Sequence, residues 1–252
     1  MIDQLWLVPL GFAAGVLGSM IGLGGGIIIV PVLTFLGFPP TLAASNSLFA
    51  TLSNAAASSI AYSRQKRIEY RLGIKLGLVS VPGAVIGALV SADVTPATFK
   101  ILFGVVLVAS VSYMLLRRRL EGDNSSMPAL MVVLVVSASF FAGIISAFFG
   151  IGGGIVFVPL MVAGMGMSMR RAAPTSQLVL LFASFSGVIT HSILGHPDFA
   201  QAGLLAAGAF FGGLAGSRLS AGVREKYLLL LASAAILAAA ARLFADSVTP
   251  GV

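Results

Sequence analysis

The sequence predicts an all-α, polytopic integral membrane protein, duplicated as an inverted-topology internal repeat with a glycine-broken helical hairpin in each half. Three observations predict this. Of 252 residues, 58% are hydrophobic and only 9% charged, a balance far from that of soluble domains. The block Gly22-Leu-Gly-Gly-Gly-Ile-Ile-Ile-Val-Pro-Val-Leu33 returns as Gly150-Ile-Gly-Gly-Gly-Ile-Val-Phe-Val-Pro-Leu-Met161, identical at seven of twelve positions, and internal similarity of this kind sets the architecture. Finally, the basic residues gather on one side of a bilayer only if each glycine block reverses the chain.

The elements follow in chain order. An apolar stretch at 5–21 is preceded by Asp3 and by no Lys or Arg, so it is expected to be a retained segment and not a signal peptide. The stretch at 25–36 is about a dozen residues, or ~18 Å of helix, too short to cross unaided. Paired with 5–21 across the glycines it makes a hairpin. Stretches at 41–62, 72–92 and 97–116 complete a first repeat, 1–116. The polar segment 117–128, beginning Arg117-Arg-Arg, is a linker. The second repeat, 129–252, retraces the pattern with 129–148, 155–165, 172–193, 200–217 and 227–244. After the glycine blocks the register continues at an offset of 129: Ala43 to Ser47 falls on Ala172 to Ser176, and Ser63 on Ser192.

Charge decides the topology. If 5–36 crossed once, nine of the fifteen Lys and Arg would lie on one side and six on the other. If 5–36 is a hairpin, thirteen share a side and only Lys100 and Arg242 oppose them. The positive-inside rule selects the second arrangement. It puts the linker in the cytoplasm, both termini outside, and the two hairpins entering from opposite faces. Re-entrant and full-depth hairpins give the same count. The formal charge of +7 is thereby explained by orientation in the lipid bilayer, and nucleic acid is not expected as a partner.

Irregular backbone at membrane depth is tolerated only inside protein or beside an aqueous cavity. Gly24, Gly25 and Gly26, with Gly152, Gly153 and Gly154, allow the reversal because glycine takes positive φ freely and admits a second backbone. The arm after each block starts with unpaired amides and a positive dipole end, the makings of an anion site. Pro31 and Pro159 each free one carbonyl. Gly11/Gly15, Gly18/Gly22, Gly83/Gly87 and Gly212/Gly216 have the spacing of helix-packing pairs. Asn46 and Ser47 match Thr175, Ser176 and Gln177 near the start of the next helix in each half, and could donate to a bound oxyanion; such groups also commonly bond their own helix backbone. Ser53, Asn54 and Ser59 are weaker candidates. His191, matching Tyr62, could carry a coupling proton, and His196 follows in an outer turn.

The eight acidic residues, Asp3, Glu69, Asp93, Glu121, Asp123, Asp198, Glu225 and Asp246, all lie in or beside loops. A cation carrier often keeps an intramembrane acid, so the substrate expected is a small anion bound by amides and hydroxyls. With no cysteine, no His-Glu-x-x-His and no Gly-x-Ser-x-Gly, neither an enzyme nor a metal or cofactor is expected. A secondary transporter is the leading reading; a channel-like pore or an assembly subunit is the alternative.

The glycine blocks, Ser47 and Ser176, the basic turn Arg64-Gln-Lys-Arg67 and the Pro82-Gly83 helix together resemble the TauE/SafE sulfite exporter family, also called the 4-toluene sulfonate uptake permeases. The resemblance covers essentially the whole chain. Gly22 to Pro31 and Gly150 to Pro159 fit its Gly-hydrophobic-Gly-Gly-Gly pattern ending in Val-Pro. Asn46-Ser47-Leu48 departs from its Thr-Ser-Leu stretch by Asn for Thr, and Thr175-Ser176-Gln177 by Gln for Leu. The family implies movement of sulfite, sulfonates or sulfoacetate across the cytoplasmic membrane, often outward.

Overall fold

The computed structural model describes residues 4–117 and 129–224, with 226–228, 230, 234 and 237 beyond them. Most of the linker, Arg242 and most of the 227–244 stretch lie outside the described residues. The helices in order are α1 (Leu7–Ile21), α2 (Gly26–Phe35), α3 (Pro40–Arg64), α4 (Tyr70–Val90), α5 (Pro96–Arg117), α6 (Ala129–Phe149), α7 (Gly154–Pro159), α8 (Met169–Ile193) and α9 (Phe199–Gly222). No strand occurs among the described residues.

Local chemistry sets several boundaries. α1 stops at Gly22, whose φ of 77° is the left-handed cap that glycine takes without strain. Proline at the first position of α3 costs no hydrogen bond there. Asp198 caps α9 by accepting from the amides of Ala200 and Gln201, satisfying two donors the helix itself cannot. Pro159 lacks the amide that would continue α7, and the chain passes into a π turn, Leu160–Gly164.

Of the described helices, α4, α8 and α9 are long and apolar enough to cross a bilayer. α3 is as long as α8 but rich in Ser, Thr and Asn. It is not lipid-facing: Ser45, Asn46, Ser47, Thr51, Asn54 and Ser58 are all fully buried. The fold places this polar helix at the centre, where its neighbours shield it.

The two halves are packed by exchange. A Cβ on Gly208, Gly212 or Gly216 would stand within 2.3 Å of the carbonyl oxygens of Val8, Phe12 and Val16 respectively. These contacts advance together, so α1 and α9 lie side by side in the same direction. Gly83 and Gly87 of α4 approach the carbonyls of Phe140 and Ile144 in the same way, and Gly143 of α6 approaches that of Ser80. Each half's first helix therefore rests on the other half's fourth. Small residues make this possible, since two backbones come this close only where no side chain intervenes. α3 and α8 cross antiparallel: Leu48 near the start of α3 meets Gly187 late in α8, and Glu69, just past the end of α3, donates its amide to Thr175 near the start of α8.

At each glycine block the chain folds back on the helix before it. A Cβ on Gly18 would lie 2.2 Å from the Gly24 carbonyl oxygen, and Gly25 leans on Ala14. Gly153 in turn leans on Ala142 and Ser146. The outer sides of both knots are sealed by one apolar cluster that includes Ile21, Leu23, Ile27, Ile151 and Ile155. Phe99 and Phe103 of α5 join it through ring contacts with Phe149 at 5.1 and 5.0 Å.

Candidate functional site

The two knots interlock reciprocally. A Cβ on Gly26 would stand 2.4 Å from the Gly150 carbonyl oxygen, and one on Gly154 would stand 2.5 Å from that of Gly22. Gly22 rests on Ala173 of α8, and Gly150 rests on Ala44 of α3. The six predicted glycines divide by role. Gly24, Gly152 and Gly153 have φ of 73°, 77° and 79°, a region closed to most side chains. Gly26 and Gly154 are needed for close approach. Gly25 is needed for neither: its φ is −76° and an added Cβ would meet nothing nearer than 3.5 Å.

Both arms start as expected. The amides of Ile28 and Ile29 donate to the Gly25 carbonyl, and those of Val156 and Phe157 to the Gly153 carbonyl. Gly26, Ile27, Gly154 and Ile155 are left as first-turn amides with no acceptor inside their own helix.

Around the crossing of α3 and α8, polar side chains crowd the knots. Thr51 and Leu180, at equivalent positions of the two halves, each touch both: a Cβ on Gly24 or Gly152 would run into the Thr51 methyl and a Leu180 methyl. Ser47 Oγ would lie 3.0 Å from a Cβ on Gly26, and Ser184 Oγ 3.3 Å from one on Gly152. The hydroxyls of Ser47, Thr51, Ser146 and Ser184, both side-chain polar atoms of Asn54, Ser59 Oγ and Gln177 Oε1 are buried and have no hydrogen-bond partner in the protein. An unsatisfied buried polar atom costs about 1–3 kcal/mol. Ser47, Thr51, Ser146 and Ser184 of this set stand beside the knot glycines, and such a cluster is the signature of a site that takes a polar guest.

The predicted site residues separate into those left free and those already engaged. Ser47 is free. Ser176 Oγ donates to the Gly22 carbonyl at 2.7 Å, and Gln177 Nε2 to that of Gly18 at 3.0 Å, leaving Gln177 Oε1 unpaired. Asn46 and Thr175 are already engaged. Asn46 Nδ2 donates to Gln201 and its Oδ1 accepts from the Asp198 amide. Thr175 Oγ1 donates to the Arg171 carbonyl and accepts from the Glu69 amide. Each braces the start of the other half's fourth helix. Ser53 donates to the Ala206 carbonyl. His191 is buried, with Nε2 donating to the Ala147 carbonyl at 3.0 Å and Nδ1 against His196 Nδ1 at 2.8 Å.

Thr51, Ser146 and Ser184 escape sequence reasoning because none has a polar counterpart in the other half. Their equivalents are Leu180, Gly18 and Ala55, so the repeat that revealed Ser47 and Ser176 conceals them. A separate cavity of about 510 Å³ between α4 and α8 is walled by apolar side chains such as Val81, Phe182 and Phe185 together with Ser186 and Thr190, whose hydroxyls donate to the Val81 and Ser186 carbonyls. It contains no knot residue and little that could hold an anion.

Known proteins place this arrangement. A family model described as sulfite exporter TauE/SafE matches residues 7–243. The probable membrane transporter protein YunE of Bacillus subtilis is 31% identical over 249 residues, covering 89% of this chain and 91% of its own. The probable membrane transporter protein MJ0441 of Methanocaldococcus jannaschii is 31% identical over 192 residues, covering 73% of this chain and 71% of its own. The probable membrane transporter protein YfcA of Escherichia coli is 26% identical over 227 residues, covering 87% and 82%.

Proposed function

Because the chain belongs to the sulfite exporter TauE/SafE family of membrane transporters, we propose that it is a secondary exporter of small sulfur-containing anions across the cytoplasmic membrane. The class comprises sulfite, sulfonates and sulfoacetate. The observation that carries the reading is the set of buried, unpartnered hydroxyls of Ser47, Thr51, Ser146 and Ser184 beside the interlocked knots. Hydroxyls can donate to a tetrahedral or pyramidal oxyanion, and the first-turn amides of α2 and α7 lie at the same place. No Lys or Arg is among these groups, so the guest is held by dipoles alone and can leave again.

Alternating access about two inverted halves supplies the movement. It is supported by the exchange of first and fourth helices, the antiparallel crossing of α3 and α8, and the fold-back of each knot. With the charge count, this arrangement favours hairpins entering from opposite faces, termini outside and the linker inside. His191 serves in this reading as a proton-linked residue at one end of the path.

Flux measurement tests the proposal. Purified protein in liposomes is expected to move labelled sulfite with a saturable rate, and Thr51→Val, which keeps shape but removes the hydroxyl, is expected to cut that rate about tenfold or more. A rate linear in sulfite to high concentration favours a pore; unchanged saturable flux in Thr51→Val removes the site.

A further inference from the structure

Two polar chains run from the loops to the knots, and they occupy equivalent positions in the two halves. In the first, the Arg67 guanidinium lies 5.1 Å from the centre of the Tyr62 ring and donates to Ser220 Oγ at 3.0 Å. Tyr62 contacts the same Ser220 Oγ at 3.0 Å and donates to the Ser19 carbonyl at 2.8 Å, one turn ahead of Gly22. In the second, offset by 129 residues, His196 stands in the place of Arg67 and His191 in that of Tyr62. His191 reaches the Ala147 carbonyl, one turn ahead of Gly150. The residues before Arg67 and His196, Lys66 and Gly195, both take positive φ, 54° and 73°. The loops are one device used twice, with a different basic residue in each.

Arg67 spends its hydrogen bonds on neutral acceptors: the Arg170 carbonyl, Gln65 Oε1 and Ser220 Oγ. The neighbouring carboxylate, Glu69, is held by Arg171. Among the described residues this half-buried guanidinium has no carboxylate partner, and its Nη2, which none of these bonds uses, is left to meet an oxyanion. We infer that Arg67 and His196 are equivalent anion-receiving residues at the two ends of the path, Arg67 charged at every pH and His196 charged only after it takes up a proton.

The hydrogen bonds define the resting state of the histidine end. A carbonyl only accepts, so His191 carries its hydrogen on Nε2 and offers a bare Nδ1 when neutral, and His196 meets it with Nδ1–H. An added proton goes to His196 Nε2, the bare nitrogen outside that contact, and it brings the charge while Nδ1–H keeps donating to His191. No fixed cation faces the pair among the described residues. Asp198 turns its carboxylate to the amides of Ala200 and Gln201. α3 contributes Asn46, already bonded to Asp198 and Gln201; α6 contributes Ala147. α4 brings Ala84 and Ala88 to the same side, and the turn after it carries Asp93 in sequence. Burial holds His196 below the usual histidine range, so this end is neutral near pH 7 and becomes charged in acid. Anion affinity then depends on pH at one end only, so KM from that side varies with the pH of that side.

The inference rests on the anion-transport reading, and the test separates the two. Initial rates of labelled sulfite transport are measured in membrane vesicles of both orientations at pH 7.5 and 5.5, always as the ratio of KM between variant and parent at one pH. That ratio cancels the titration of sulfite itself. His196→Arg is expected to lower KM from its side roughly tenfold at pH 7.5, with a smaller ratio at pH 5.5. Arg67→His is expected to raise KM from the opposite side at pH 7.5 and much less at pH 5.5, while Arg67→Lys, which keeps the charge but not the guanidinium's donors, raises KM by the same smaller factor at both pH values. His196→Gln is expected to abolish the acid-induced fall in KM. Saturable flux with ratios that ignore pH, or with both residues acting from the same side, overturns the inference alone; absence of saturable anion flux in the parent overturns the transport reading and this inference together.

Discussion

At the residue scale, the glycine knots look uniform in sequence but are not uniform in demand. Gly25 has ordinary helical φ and open space around it, so Gly25→Ala is expected to fold and transport nearly as the parent does. Gly26→Ala and Gly154→Ala drive a methyl into the carbonyls of Gly150 and Gly22, and neither backbone can yield without parting the knots. Both are expected to abolish flux, with a lower Tm in detergent; equal behaviour of Gly25→Ala and Gly26→Ala would count against the interlock. His196 gives a second residue-scale outcome. Its folded pKa is depressed by burial, so the unfolded chain binds more protons below about pH 6.5. Stability falls as pH drops through that range. His196→Gln is expected to flatten the Tm decline between pH 7.5 and 5.5, and an identical decline in both proteins would assign it to other groups.

At the element scale, the structure explains why polar residues recur at matched places without all being ligands. Asn46 and Thr175 accept the amides of Asp198 and Glu69, the residues preceding α9 and α4. These bonds tie each central helix to the start of the other half's fourth helix, across the interface of the repeats. Asn46→Ala and Thr175→Val are each expected to cost about 1–3 kcal/mol, because each leaves a partly buried amide unpaired. Their effect should appear as lost thermal stability with sulfite KM little changed. A large KM change with intact stability would return these two side chains to the substrate site. The same reasoning explains the low hydropathy of α3. A helix lined with Ser, Thr and Asn is excluded from lipid and stable only where other helices surround it, which α8 and α9, with α1, α2 and α6, provide.

At the scale of the whole molecule, the chain contains no cysteine, so a single introduced thiol reports sidedness without interference. Lys66→Cys and Pro197→Cys, in the turns after α3 and α8, are expected to react with an impermeant thiol reagent from opposite sides of the membrane; reaction from one side would dissolve the inverted arrangement. Composition alone determined that the protein is helical and membrane-bound, because hydrophobic content on this scale leaves no other home for the chain. The repeated Gly-x-Gly-Gly-Gly block determined where the helices break, since positive φ and close approach are local needs that only glycine meets. What only the tertiary structure decided is which polar groups are free. Ser47 and Ser176 occupy equivalent positions, yet Ser176 is bonded to Gly22 while Ser47 has no partner. Thr51 faces both knots although nothing in its own helix distinguishes it. A hydroxyl's availability depends on what another segment more than a hundred residues away places beside it, and that distance is closed only when the two halves pack.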